Sequence, residues 1–308
     1  MQTLIFIAIA GVAAQLVDGG LGMGFGVTST TILIMLAGLG PAQASAVVHT
    51  AEVGTTLVSG LSHWKFGNVD WKVVVRLGIP GAIGAFAGAT FLSNISTEAA
   101  APITSLILAL IGMNLVWRFS KGRIRRDYSD RPHSRGFLGG LGIVGGFVDA
   151  SGGGGWGPVT TSTLLSLGRT EPRKVVGTVN TAEFLVSLAA TLGFVVGLWD
   201  DLVANLSAVL ALLIGAIAAP IGAWMISRVN ATVLGGFVGT LIVTLNLPKV
   251  LNVVGLDFIP TGLIQVTVLL IGLPLTYLGF RRYRKNLLNE TISSEVVSEP
   301  KGQKIKST

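Results

Sequence analysis

Four acids and one histidine stand inside apolar stretches of this 308-residue chain, and the acids come in matched pairs. Asp18 opens the run DGGLGMGFG that ends at Gly26, and Asp149 opens DASGGGGWG, which ends at Gly157. Glu52 and Glu183 lie well inside a later apolar segment, His49 three residues before the first and Asn180 three before the second. Carboxylates at membrane depth are expensive and usually functional. Residues three apart share a helix face, so His49 can reach Glu52 and Asn180 can reach Glu183. The alternative reading makes all four acids hydrogen-bonded plugs that fix helix ends.

The glycine runs suggest the other half of the chemistry. Glycine allows positive φ and close approach of backbone to a ligand. After each run a helix restarts, at Val27-Thr28-Ser29-Thr30 and at Pro158-Val159-Thr160-Thr161. Such an N-terminus presents free amides and roughly +0.5 of a charge, a seat for an anion's oxygens. The expected substrate contacts are Gly22, Gly24, Gly26, Thr28, Ser29 and Thr50, with Gly153, Gly155, Gly157, Thr160, Thr161 and Thr181, joined by His49 and Asn180. Small residues also pack helices closely in membrane bundles, which is the competing reading of these glycines.

Magnitudes tie the two halves together. Two like charges about 6 Å apart at an effective dielectric of ~20 repel by roughly 3 kcal/mol, about two pKa units. Ionised acids beside a bound anion would defeat the helix dipoles, so some must be protonated when it binds. Asp18, Asp149, Glu52 and Glu183 are therefore the expected proton-coupling groups, with His49 as a possible carrier.

The elements that position these groups are helices in a bilayer. Half of the residues are apolar and 12% are charged, against about 25% in soluble domains, and mean hydropathy is +0.71. In lipid only helices or closed barrels satisfy their own backbone, and no period-two alternation is present, so the fold class is an all-α integral membrane protein. The net charge of +7 concentrates at Arg118 to Arg135 and at Arg281 to Lys285. Those clusters flank apolar runs, the pattern of cytoplasmic loops rather than of a nucleic-acid binder. Cysteine is absent, which excludes disulfides, thiolate sites and cysteine nucleophiles. Residues 1–15 lack the basic start of a signal peptide and read as mature structure.

Apolar runs predict segments near 2–17, 27–39, 42–62, 73–93 and 100–117, then 136–149, 157–168, 174–198, 202–227, 231–247 and 260–280. An internal repeat at offset 131 matches Asp18, Gly22, Gly24, Gly26, Pro41, Thr50, Glu52 and Asp70 with Asp149, Gly153, Gly155, Gly157, Pro172, Thr181, Glu183 and Asp201. With small insertions Gly81, Gly88, Ser93 and Asn114 fall on Gly215, Gly222, Ser227 and Asn246. Equivalent turns carry opposite charge: Arg169 to Lys174 is basic where 38–43 is uncharged, and Lys65 and Lys72 answer to Asp200 and Asp201. That alternation, continued at Arg228, predicts an inverted-topology repeat of five segments each, N-terminus outside and C-terminus cytoplasmic. The short segments 136–149 and 157–168, and their counterparts, predict a re-entrant or broken-helix hairpin around each glycine loop. The expected organisation is a first repeat at 1–117, a basic cytoplasmic loop at 118–135 and an inverted repeat at 136–250. An extra helix with its basic flank follows at 251–285, then a disordered cytoplasmic tail at 286–308.

The paired loops carry a resemblance. Gly22 to Gly26 and Gly152 to Gly157, each followed by a short apolar helix, then by Pro41 or Pro172 and a Thr at 50 or 181, resemble the sulfite exporter TauE/SafE family over about 1–280. That resemblance implies a multi-helix permease of the inner or plasma membrane that moves sulfite or small sulfur-containing anions such as organosulfonates. The first loop departs from the unbroken glycine run at Leu21, Met23 and Phe25.

Together these readings predict a secondary transporter with alternating access, moving a small oxyanion through a midplane site between the repeats. No nucleophile has a partnered base, so no catalytic residue, cofactor or resident metal is expected. The expected partners are a small anionic substrate, protons and the lipid bilayer, with no nucleic acid and a homo-oligomer left open. The runner-up is a cation or metal permease using Asp18, Asp149, Glu52, Glu183 and His49 as ligands.

Overall fold

The computed structural model describes residues 2–122, 132–167, 169–220 and 231–298. The middle of the basic loop, Gly222, Ser227, Arg228 and residues 299–308 lie outside the described residues. All regular structure among the described residues is helical, in eleven segments. They are α1 (Gln2–Leu21), α2 (Phe25–Leu36), α3 (Pro41–Lys65), α4 (Trp71–Ser93), α5 (Thr97–Ser120) and α6 (Arg135–Gly152). Then follow α7, a π turn at Gly157–Thr161 running into Ser162–Leu167, and α8 (Pro172–Ala204). Next come α9 (Leu206–Leu213, continued as a 3-10 turn over Ile214–Ala218), α10 (Ala231–Val253) and α11 (Thr261–Ser298).

Local chemistry sets these ends. Asp70 caps α4 by accepting from Lys72 N and Val73 N, Ser96 caps α5 through Ala99 N, and Ser134 caps α6 through Phe137 N. Pro41 and Pro172 occupy first-turn positions where a missing N–H costs nothing. The segment end expected at 198 falls on a kink, where Leu198 leaves helical geometry (φ −138°, ψ 35°), and a short helical stretch then carries the chain on to Ala204. At the other end α11 runs on to Ser298, so 286–298 is helical where an irregular tail was expected, because nothing between Thr261 and Ser298 breaks the helix except a tolerated Pro274.

Among the described residues five helices are long and apolar enough to cross a membrane: Trp71–Ser93, Thr97–Ser120, Arg173–Ala204, Gly235–Val253 and Thr261–Asn289. α3 has the length, with 25 residues, but is too polar because it buries Ser45, His49, Glu52, Thr55, Thr56, Ser59 and His63. α2 has 12 residues, about 18 Å of helix against ~30 Å of hydrocarbon. α6 differs from expectation in the other direction. It holds 18 residues rather than about a dozen, since the helix continues through Asp149 to Gly152 before Gly153 and Gly154 turn it off with φ of 71° and 126°.

Packing centres on small residues. α4 lies against α6 and α8, while α9 lies against α1 and α3; α3 crosses α8 and α5 crosses α10. A Cβ on Gly84 would strike the Ile143 carbonyl and one on Gly88 would fall 2.6 Å from the Phe147 carbonyl, so the Gly84/Gly88 face serves backbone-to-backbone packing of α4 on α6. Isoleucine, leucine and phenylalanine side chains such as Ile79, Ile83, Phe86 and Leu270 point outward, as a lipid-facing surface requires.

Candidate functional site

The two glycine loops meet. Gly157 packs on Gly22 and Met23 so closely that a Cβ would sit 2.5 Å from the Gly22 carbonyl oxygen, and Thr161 Oγ1 donates to that carbonyl at 2.8 Å. On the other side a Cβ on Gly26 would fall 2.9 Å from Gly154 Cα and 2.9 Å from Glu52 Oε1. Gly22, Gly24, Gly153 and Gly154 all hold positive φ, and at Gly26 and Gly157 the absent side chain is what admits the opposing backbone.

Asp149 organises the second loop. Its Oδ1 accepts from the amides of Gly155 at 2.7 Å and Trp156 at 2.8 Å, and its carbonyl accepts from Gly154 N. The carboxylate therefore occupies the anion seat at the start of α7 itself, and the Gly155 amide expected to face a substrate is already engaged. Asp149 Oδ2 lies 3.1 Å from His49 Nε2. On the far side of that ring Nδ1 lies 2.8 Å from the Ser45 carbonyl, which can only accept, so Nδ1 carries hydrogen. The short Nε2 to Oδ2 contact then needs one more proton, present either as imidazolium facing carboxylate or as neutral imidazole facing carboxylic acid. Ser45 Oγ donates to the Ala150 carbonyl at 2.8 Å and locks the ring's support to α6. Ser45 was not a predicted site residue; its position one turn before His49 was the available signal.

Glu52 completes a buried group. Its Oε2 stands 3.9 Å from His49 Nε2 without a hydrogen bond. His49, Glu52 and Asp149 each offer a ligand atom, all within 4.8 Å of one another, so this trio has the spacing to hold a metal ion.

The first loop is wired differently. Asp18 is buried near the Phe25 amide, the counterpart of Trp156, and among the described residues has no pair of amide hydrogen bonds like those of Asp149. Asn180, the counterpart of His49, turns to Ser59 Oγ at 3.3 Å, and its Oδ1 has no partner. Glu183 is buried in the same electrostatic neighbourhood as Asp18, Glu52 and Asp149.

The hydroxyls divide in the same way. Thr160 donates to the Trp156 carbonyl at 2.5 Å, Thr50 to Ala46 and Thr181 to Gly177, each within its own helix. Thr28, Ser29 and Thr30, in the first turns of α2, have buried hydroxyl oxygens with no partner. Sequence reasoning also missed Trp156, fully buried with Nε1 donating to the Val179 carbonyl at 3.1 Å, and packed over Gly81 and Gly145. Its unusual place inside a glycine run was the signal.

Comparison with known proteins gives a concordant picture. The family model described as "Sulfite exporter TauE/SafE" matches residues 7–247. The "Probable membrane transporter protein YtnM" of Bacillus subtilis (strain 168) is 47% identical over 257 residues, covering 82% of this chain and 84% of that protein. No solved structure matches.

Proposed function

The chain belongs to the sulfite exporter TauE/SafE family and is a membrane transporter of that family; from that premise we propose that it moves sulfite or an organosulfonate, coupled to protons, by alternating access at the junction of the two glycine loops. The observation that carries this reading is the run of buried, unpartnered hydroxyls at Thr28, Ser29 and Thr30 in the first turns of α2, with Thr30 lying against Gly153 of the opposite loop. Buried polar groups in a finished core are satisfied; donors left open at the start of a helix suit a transient guest with acceptor oxygens.

The contacts support an inverted repeat in the proposed mechanism. α4 on α6 and α8 has its counterpart in α9 on α1 and α3, and α3 on α8 maps to itself when the halves exchange. In this reading α2 and α7 are half-helices that meet near the midplane, the N-terminus lies outside, the C-terminus is cytoplasmic and the membrane is the cell's inner one. Proton coupling is supported by the His49 to Asp149 contact, which needs a proton to exist, and by Glu52 standing 3.9 Å from the same ring nitrogen. An arriving anion is accommodated when that local proton is held and expelled when it leaves.

The test is flux of labelled sulfite into liposomes containing the purified protein, with and without an imposed pH gradient. Saturable flux that rises with the gradient, and a Glu52→Gln/Glu183→Gln variant that no longer responds to it, are the expected results. Absence of saturable sulfite or sulfonate flux under any gradient would overturn the substrate. The metal spacing of His49, Glu52 and Asp149 favours the alternative, a cation permease. Calorimetric binding of a divalent cation that Asp149→Asn abolishes would select it.

A further inference from the structure

Two cavities open at opposite ends of α5, and each presents a single cation to one of the short helices. The first, about 230 Å³, is lined by Ile34 at the end of α2, the Gly38 to Pro41 turn, Thr97 and Ser105 of α5, and Lys249 of α10. The second, about 530 Å³, is lined by Asn114 and Arg118 of α5 and by Pro158, Ser162 and Thr163 of α7. Thr97 and Arg118 are separated by most of a helix long enough to span the membrane, roughly 32 Å at ~1.5 Å per residue. The cavities therefore serve different faces.

The polar wiring behind them is matched. Arg118 Nη1 donates to Ser162 Oγ of α7. In the other half Asn246, one turn before Lys249, donates to Thr31 Oγ1 of α2 at 3.4 Å, and Thr31 is the position equivalent to Ser162 at offset 131. Lys249 is half-buried and has no ion pair or hydrogen bond among the described residues. It also breaks the charge pattern of the chain. The other basic clusters stand on the face expected to be cytoplasmic, whereas the Gly38 to Pro41 turn beside Lys249 belongs to the opposite face, so loop-charge topology does not account for it. A solitary ammonium in a cavity that holds several water volumes of ~30 Å³ each is a point of attraction for a small oxyanion.

We propose that Lys249 and Arg118 are the anion-recognition residues of two vestibules, Lys249 at the outer one and Arg118 with Ser162 at the inner one, which deliver a small oxyanion to opposite sides of the loop junction. This rests on the transport reading above and adds the residues through which the substrate reaches each side. Pro158 lines the inner vestibule directly after Gly157, so that cavity ends at the loop junction.

The experiment is sulfite flux in right-side-out and inside-out membrane vesicles made from cells that produce the full chain. Lys249→Gln should raise half-saturation about tenfold on one face, the loss of one charge-assisted contact, and leave the other face unchanged. Arg118→Gln should do the reverse, and Lys249→Arg should keep wild-type behaviour. Saturable wild-type flux with Lys249→Gln unaltered on both faces would overturn the vestibules and leave the transport reading standing. If wild type carries no sulfite, the transport reading fails, and the vestibules are judged by binding instead. Sulfite should then raise the melting temperature of the protein in lipid-free detergent, and less so in Lys249→Gln. No stabilisation of wild type, or equal stabilisation of the variant, overturns them. The same comparison in phosphatidylcholine vesicles with and without phosphatidylglycerol separates a free anion from a lipid headgroup. A Lys249→Gln effect that appears only with the anionic lipid would assign Lys249 to lipid and overturn the proposal.

Discussion

The second glycine loop is saturated and the first is not. Asp149 itself is fully partnered: two amides on one oxygen, His49 on the other, Ser45 behind His49. Around the first loop the counterpart of that imidazole, Asn180, bonds Ser59 instead, and Thr28, Ser29 and Thr30 are left with open hydroxyls. Loops alike in sequence are thus held in unlike states. The Asp149 carboxylate fills the terminus of α7 with two amide hydrogen bonds, whereas the hydroxyls at the start of α2 have no partner among the described residues. If alternating access exchanges the halves, the saturated side must open as the other closes, and the proton between His49 and Asp149 is the contact that has to be given up.

The sharpest way to break this contrast is at the backbone crossing. Gly154 holds φ of 126° and a Cβ there would collide with Val27 N, whereas a Cβ on Gly24, at φ of 130°, would meet only a Val17 methyl at 3.2 Å. Both substitutions to Ala carry backbone strain of roughly 1–3 kcal/mol, but only Gly154→Ala adds a clash with main chain that cannot move aside. We expect Gly154→Ala to prevent accumulation of folded protein and Gly24→Ala to lower the melting temperature measurably while leaving folded protein to assay.

The next effect concerns the acids. Asp149→Ala strips two amides and His49 of their partner in a buried site, a loss of about 3–5 kcal/mol. Asp18→Ala breaks no comparable set of hydrogen bonds and should cost about 1 kcal/mol, the ordinary scale of a single substitution. Thermal unfolding of the two variants in one detergent should separate them clearly, and equal shifts would erase the asymmetry between the loops. The swap His49→Asn/Asn180→His moves the imidazole to the other half. His49→Asn alone should cut flux by about a hundredfold, the scale of a lost proton-transfer group, and the double swap should recover part of it. The chain has no cysteine, so single cysteines at Ala101 and Thr163 can report by thiol labelling whether the swap exchanges which vestibule is open.

Much of the architecture was legible because helix ends carry local signals. Asp70, Ser96 and Ser134 cap where polar residues precede apolar runs, and Pro41 and Pro172 start helices. The boundary expected at 198 was legible too, since α8 leaves helical geometry at Leu198, just before Asp200 and Asp201. The loops, their glycines and the four acids were legible as types and spacing, and their burial follows. The wiring was not. His49 and Asp149 are 100 residues apart, and nothing local distinguishes Thr160, bonded within its helix, from Ser29, which is open. Lys249 escaped notice because a lone lysine near a helix end is ordinary until the cavity around it is seen.

The smallest expected effect is also the most discriminating about the hydroxyls. Thr161 Oγ1 bonds the Gly22 carbonyl and ties the loops together, so Thr161→Val leaves a buried carbonyl short of a donor and costs about 1 kcal/mol or slightly more. Ser29→Ala removes a buried hydroxyl that has no partner, which relieves an unsatisfied group and should leave stability unchanged or raise it by a few tenths of a kcal/mol. On function the order reverses. Ser29→Ala should raise the sulfite concentration at half-maximal flux by about fivefold, one neutral hydrogen bond's worth, while Thr161→Val should change it less. Opposite rankings in melting temperature and half-saturation would mean that the open hydroxyls are kept for a ligand at no gain to the fold. If both properties fell together in Ser29→Ala, that hydroxyl would belong to the packing, and the substrate seat would have to be sought elsewhere along the junction.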